Sequence, residues 1–451
     1  MADAKTNEGL KQVVGVTGLA LAIVNGIIGA GIFALPAIVS IQMGAFGVFG
    51  YVFCSLMMAA IMLCYAEIGS RVTTSGGSYA YVEAAFGKFP GFIINWMYFF
   101  GWSILGSAAV MNILADSLAL IFPAFSNPLL RGFFFFILIG FMVLVNVRGA
   151  KQGIGIVKAI TIIKLLPLLG IIIFGFSQVK ATNLHWEHLP SLKTFGNTAL
   201  ILFFAFAGFE TSFGVSGEFI NSKRTVPLGI FLGGMIVLIV YMLLQTVTQG
   251  VLGADMAVFK DAPLAAVAEK IVGPIGATIL LFTAAISCFG NVSADVMATP
   301  RSLFAGANDG IFPKFLGRVH PKFATPYWAV ITYGSLIFIF SVSGGFKQLA
   351  VLASAAILLI YLAVILATVK LRMKKQNAAE KTFRVPGGLI IPFIGIAAII
   401  WLLASLSKWE ILSTIIFIAV ICLMYFVMKK FQKNKIAGDD FLRVLKANEK
   451  K

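Results

Sequence analysis

Apolar residues run in long stretches along this chain, and polar residues collect between them. A hydrocarbon core about 30 Å thick takes roughly 20 helical residues to cross. Twelve windows of that kind can be drawn, at 13–40, 44–70, 90–121, 129–147, 153–177, 195–219, 226–252, 272–300, 327–343, 347–371, 386–407 and 409–429. The pattern predicts an all-α integral membrane protein with twelve transmembrane helices. They form one transmembrane domain, 13–429, between a polar tail at 1–12 and a basic tail at 430–451. The segments 178–194, 253–271 and 301–326 read as loops, and KLRMKKQNAAEKTFRVP as a connector with no fold of its own. No small-residue cleavage site precedes the first span, so it reads as retained and not as a signal peptide.

Two spans carry residues that a membrane helix tolerates badly. The first reads AIVNGIIGAGIFALP, with Gly26, Gly29 and Gly31 near its middle, and the sixth reads AFAGFET, with Gly208 and Glu210. Unpaired backbone groups in hydrocarbon cost several kcal/mol, so non-helical backbone is kept there only where it lines a cavity. Glycine also serves close helix packing, but two matched interruptions in corresponding halves point to a binding site. If spans 1–5 and 6–10 are two units, the breaks occupy equivalent positions. Because five is odd, the second unit starts on the opposite face, so the repeat is 5+5 and inverted. Spans 11 and 12 are extra.

Composition agrees with membrane residence: 59% of residues are hydrophobic, 12% are charged and the mean hydropathy is +0.97. A soluble domain would have about a quarter of its residues charged. The net charge of +17 would suit nucleic acid in a soluble protein, but its distribution here argues against that partner. Of the 35 Lys and Arg residues, 26 fall on the side of the two termini and seven on the other, while Lys158 and Lys164 lie in the fifth span. The positive-inside rule makes the termini cytoplasmic in a multi-pass inner-membrane protein, with some attraction to anionic lipid.

Other chemistries find little support. Cys54, Cys64, Cys288 and Cys422 are scattered through apolar spans, and His185, His188 and His320 lie in loops. No metal or disulfide spacing results, and no cofactor is expected. A membrane enzyme would need a convergent catalytic set, a channel a filter or pore-lining ring, and a nucleotide-driven pump a P-loop, which the chain lacks.

Four stretches in order carry a family resemblance. They are Gly29-Ala30-Gly31-Ile32-Phe33 with Pro36; YAEIGSRVTTSGGSYAYV; FAFAGFETSFGVSGEFINSKRTVPLGI; and TPRSLFAGANDGIFP continuing to HPKFATP. Over spans 1–10 the chain resembles the amino acid–polyamine–organocation (APC) superfamily, specifically its bacterial amino acid permeases. The resemblance implies the 5+5 inverted repeat with broken helices 1 and 6 plus two extra helices. It also implies a secondary transporter working by alternating access, as exchanger or proton symporter.

Helix N-termini suit a carboxylate and C-terminal carbonyls suit an ammonium. By resemblance, the substrate carboxylate meets the amides of Ala30 and Gly31, with Gly29 allowing the turn. The ammonium meets the carbonyls of Ile27, Phe204 and Ala207, beside Gly208. Many relatives have Ser where Ala30 stands, so one hydroxyl contact is missing here. Phe204, flanked by Phe203 and Phe206, matches an aromatic gate. Lys164, deep in the fifth span, resembles a cation standing where distant relatives hold sodium, as a fixed charge or a proton carrier, with Ser287 nearby. Lys158 is read as snorkelling to the interface.

Glu210 is read as tying the sixth span to a neighbour or capping free amides. Glu67, Glu218 and Arg301 are gate ion pairs or surface charges at helix ends, and Asp116 is interfacial. Asp295 stands where relatives carry a neutral or aromatic residue facing the substrate side chain. It selects a polar or cationic side chain, takes part in proton coupling, or pairs with Arg301 or a lysine. Neutral L-amino acids, without sodium, are the favoured substrates, and cationic amino acids or polyamines the alternative. The oligomeric state is left open.

Overall fold

The computed structural model describes residues 14–72, 77–148, 154–186, 188–211, 220–308, 310–373 and 383–448, with side chains except at 154–162, 222–223 and 430–448. The tail 1–12 and Glu218 lie outside the described residues, as does the side chain of Lys158.

The described chain is helical throughout. In order it forms α1 (Val16–Ile27), α2 (Gly31–Met43), α3 (Gly47–Gly69), α4 (Ser78–Phe86), α5 (Lys88–Trp96), α6 (Ile104–Ala119), α7 (Pro128–Val147), α8 (Ile154–Gly175) and α9 (Leu192–Phe203). It continues as α10 (Ser222–Leu252), α11 (Pro263–Val272), α12 (Pro274–Asn308), α13 (Tyr327–Ser343), α14 (Phe346–Met373), α15 (Ile390–Ala404) and α16 (Lys408–Asn448). Seven helical stretches are long and apolar enough to cross a membrane. Four shorter apolar helices accompany them, at Val16–Ile27, Ile163–Gln178, Tyr327–Ser343 and Ile390–Ala404.

Local chemistry sets several boundaries. The Asn127 side chain accepts from the amides of Leu129 and Leu130, and Pro128 opens α7. Ser191 caps α9 by accepting from the Thr194 amide. Both are N-cap side chains on otherwise orphaned donors. Gly44, Gly253 and Gly273 end helices at positive φ.

Some expectations need correcting. The third window is one continuous helical stretch, Lys88–Ala119, but a π-helical segment, Met97–Ser103, separates α5 from α6 within it. The segment 253–271, read as a loop, contains most of α11, because Pro263 starts it and apolar residues line its inner face. α12 continues eight residues past the expected end, to Asn308. The helical backbone of α16 carries on through the expected tail to Asn448.

Burial separates interior from rim. In α14, 72% of the apolar window is buried, against 17% in α7 and 6% in α16. On α7 and α16 the large apolar side chains Phe133, Phe136, Ile415 and Leu423 point outward, as lipid-facing positions must. Inside, α1 packs on α10, α2 on α9, α6 on α12, and α14 on α6 and the π-helical turn. The two predicted breaks lie at the centre of this group.

Candidate functional site

α1 closes with the Ile28 amide on the Val24 carbonyl, and the Gly29 amide then turns back to the Ile27 carbonyl at 2.8 Å. The next three amides, of Ala30, Gly31 and Ile32, find no acceptor among the described residues. They stand at the start of α2, where the helix dipole adds partial positive charge. Two carbonyls freed by the break, those of Asn25 and Ile28, accept from Lys164 Nζ at 2.9 and 2.6 Å. Lys164 is only 4% exposed, so its ammonium exchanges water for these carbonyls.

The second break begins where α9 stops at Phe203. Residues 204–206 form a turn, and Gly208 takes φ +117°. The Gly208 amide donates to Glu210 Oε2 at 3.0 Å, and the Tyr361 hydroxyl of α14 donates to the same oxygen at 2.5 Å. Glu210 therefore caps the break and ties it to α14. No donor reaches the carbonyls of Phe204 and Ala207 among the described residues.

The breaks touch. A Cβ on Gly208 would sit 2.6 Å from the Gly26 carbonyl oxygen, and one on Gly31 would sit 3.0 Å from Ala205 Cβ. Tyr241 of α10 bridges them, its hydroxyl lying 3.0 Å from the Ile27 carbonyl and 2.9 Å from that of Ala205. The Ile27 carbonyl thus accepts from the Gly29 amide and shares the single Tyr241 hydroxyl proton with Ala205. What remains among the described residues is three amides without an acceptor at the first break and two carbonyls without a donor at the second. They can hold an anion and an ammonium together without an ionised side chain.

Phe204 packs its ring edge-on against Trp102 and Phe346. Its neighbours turn away, Phe203 to Tyr361 and Phe206 to Tyr51 and Tyr241. On the far wall, α12 brings Asn291 Nδ2 to 3.4 Å from where a Cβ on Gly29 would lie. One turn further, Asp295 Oδ2 accepts from the Ser107 hydroxyl of α6 at 2.9 Å. Ser287, one turn earlier, is buried and its hydroxyl bonds to no described residue.

Asp295 does not pair with Arg301, whose guanidinium bonds the Met297 carbonyl in its own helix. Nor does Glu67 meet Arg301 or lie on the surface. It is fully buried between Arg71 and Arg372, and Val385 donates to it. Asp116 pairs with Arg131 at 2.5 Å in a half-exposed setting. Among the described residues no group of His, Cys, Asp and Glu is arranged to hold a metal.

Sequence reasoning missed Tyr241, Asn291, Ser107, Tyr333 and Tyr361. A signal existed for Asn291: Ser287, Asn291, Asp295 and Thr299 recur every fourth residue in an apolar helix, which puts them on one face. Ser103, which ends the π-helical turn, and Ser107 of α6 repeat the spacing. The three tyrosines carry no such signal, since nothing local distinguishes them from the ten in the chain.

Comparison with known proteins bears on this geometry. Residues 14–441 match the family described as amino acid permease. The serine/threonine exchanger SteT of Bacillus subtilis (strain 168) is 27% identical over 412 residues, 88% of this chain and 92% of that protein. The branched-chain amino acid permease BcaP of the same organism is 25% identical over 438 residues, 93% and 94% of the two chains. The Asc-type amino acid transporter 1 of Mus musculus is 28% identical over 348 residues, 71% of this chain and 63% of that protein.

Proposed function

The chain belongs to the amino acid permease family, and we propose that it moves neutral L-amino acids across the cytoplasmic membrane by alternating access. In this reading twelve spans cross the bilayer, with spans 1–5 and 6–10 as inverted repeats and both termini in the cytoplasm. The observation that carries it is the contact between the two breaks, with the amides of Ala30, Gly31 and Ile32 unpaired at one and the carbonyls of Phe204 and Ala207 unpaired at the other among the described residues. An α-carboxylate docks on the amides and an α-ammonium on the carbonyls. Serine/threonine exchange and branched-chain transport by relatives of similar length support the neutral class.

Transport runs without sodium, as exchange or proton symport. Lys164 supports this reading, because its ammonium occupies the freed carbonyls of Asn25 and Ile28 and so supplies a cation beside the first break, as a fixed charge or a proton carrier. Phe204 with Trp102 and Phe346 acts as the gate over the site. Glu210 holds the second break in shape, while Glu67 and Arg301 serve at the cytoplasmic helix ends. A second reading, transport of cationic amino acids or polyamines, draws on the Asp295 carboxylate alone.

The test is uptake into proteoliposomes across a panel of labelled amino acids, with and without internal substrate, a proton gradient and sodium. Neutral amino acids should accumulate equally with sodium or choline outside, and Lys164→Gln should abolish that uptake. Strict sodium dependence would refute the role given to Lys164. Uptake confined to internally loaded vesicles would select exchange over proton symport.

A further inference from the structure

α12 crosses the interior with a polar stripe, Ser287, Asn291, Asp295 and Thr299, spaced by four residues and so on one face. Asn291 lies against Gly29 at the first break. Asp295 is one turn, about 6 Å, further along the axis. Its partner Ser107 follows Gly106, where a Cβ would lie 3.9 Å from the ring of Phe204 at the second break. The carboxylate is thus one turn along α12 from the residue beside the first break, and its partner neighbours the residue beside the Phe204 ring.

The surroundings of Asp295 are selective. Ser107 is 1% exposed, and its hydroxyl is held between Asp295 Oδ2 and the Tyr333 hydroxyl, at 2.9 and 3.3 Å. Tyr333, fully buried, is bound in turn to Ser103 at 2.7 Å, and Ser103 contacts Thr299 at 3.4 Å. The wall behind the carboxylate is thus filled and fixed. Oδ1 has no partner among the described residues, and none of the ion pairs formed there includes Asp295. Asp295 is half-buried, and an ionisable side chain at this depth of an apolar span is a functional candidate.

Resting on the transport function proposed above, we infer that Asp295 and Ser107 form a side-chain reader that favours short amino acids with a hydroxyl donor, threonine and serine, over aliphatic isosteres. The substrate hydroxyl donates to Asp295 Oδ1. Valine has the same shape as threonine but leaves that oxygen unpaired. A hydrogen bond to a charged group converts to about a ten- to hundredfold preference for threonine over valine.

The experiment measures uptake of labelled threonine, valine and lysine in proteoliposomes holding the full chain, wild type and the variants Asp295→Asn, Asp295→Leu and Ser107→Ala. The wild type should favour threonine over valine by at least about tenfold in kcat/KM. Asp295→Leu should bring the ratio to about one or invert it, and Ser107→Ala should lower it by disordering the carboxylate. A wild type that takes valine as well as threonine, or prefers lysine, overturns the inference even if no variant folds. An unchanged ratio in Asp295→Leu overturns it as well. Absence of uptake of any amino acid by the folded wild type would instead remove the transport function itself.

Discussion

Truncating Glu67 should unsettle the ends of three helical segments at once. Its Oε1 accepts from Arg71 Nη2 at 2.7 Å and Arg372 Nε at 2.9 Å, and its Oε2 from Arg372 Nη2 and, at 2.9 Å, the Val385 amide. The arginines reach on to the carbonyls of Leu371 and Gly388. One carboxylate thereby joins α3, the end of α14 and the approach to α15. Side-chain exposures are 0% for Glu67, 5% for Arg71 and 14% for Arg372. Removing one partner of a buried ion pair costs about 3–5 kcal/mol, because the other charge stays buried without compensation. Arg372 can turn towards water, which places Glu67→Ala near the lower end. At roughly 2 °C per kcal/mol for a chain of this size, extending the trend for smaller proteins, the melting temperature should fall by about 6 °C.

The assay is thermal unfolding of purified protein in detergent at one fixed scan rate, since unfolding of such proteins is not reversible. Glu67→Gln, which keeps the shape and one acceptor, should lose about half as much. Adding Arg372→Ala to Glu67→Ala should cost less than the two single changes together, by about 1 kcal/mol or more. A Glu67→Ala melting point within a degree of wild type, or strict additivity with Arg372→Ala, would refute the reasoning.

Two further changes probe the breaks. Gly208→Ala brings a Cβ to 2.6 Å from the Gly26 carbonyl at φ +117° and should remove more than about nine-tenths of uptake; Gly15→Ala, with nothing within 4 Å, is the control that should transport normally. Tyr241→Phe deletes the one hydroxyl spanning both breaks, and its loss should raise KM about tenfold in the same uptake assay.

Much of this arrangement is legible in the residues. The glycines at 26, 29, 31 and 208 mark both breaks, because only glycine lets two backbones approach to the separation seen between Gly26 and Gly208. Lys164 stands out because an ammonium in an apolar span must find acceptors. The acceptors themselves were not legible: Asn25 and Ile28 lie 139 and 136 positions from it, and a carbonyl leaves no trace in residue identity. The same holds for Glu67, whose partner Arg372 is 305 positions away. From the chain alone, a glutamate near a helix end looks like a solvated charge. α11 was hidden for another reason, since ten residues fall short of a span and its surroundings are rich in loop-forming Gly, Asp and Pro.

The breaks also constrain the order in which the protein can be made. α1 and α9 have 12 residues each, about 18 Å of helix against a hydrocarbon layer of about 30 Å. Neither can sit alone in lipid in its final form. The groups that satisfy the first break come from far downstream, Lys164 from 136 positions beyond Ile28 and Tyr241 from 214 beyond Ile27. At about 5–20 residues per second, Tyr241 leaves the ribosome roughly 10–40 s after Ile27. Until then the cheapest state for residues 16–43 in the bilayer is one continuous helix. The first break is thus made well before the groups that satisfy it and takes its native shape only when they arrive.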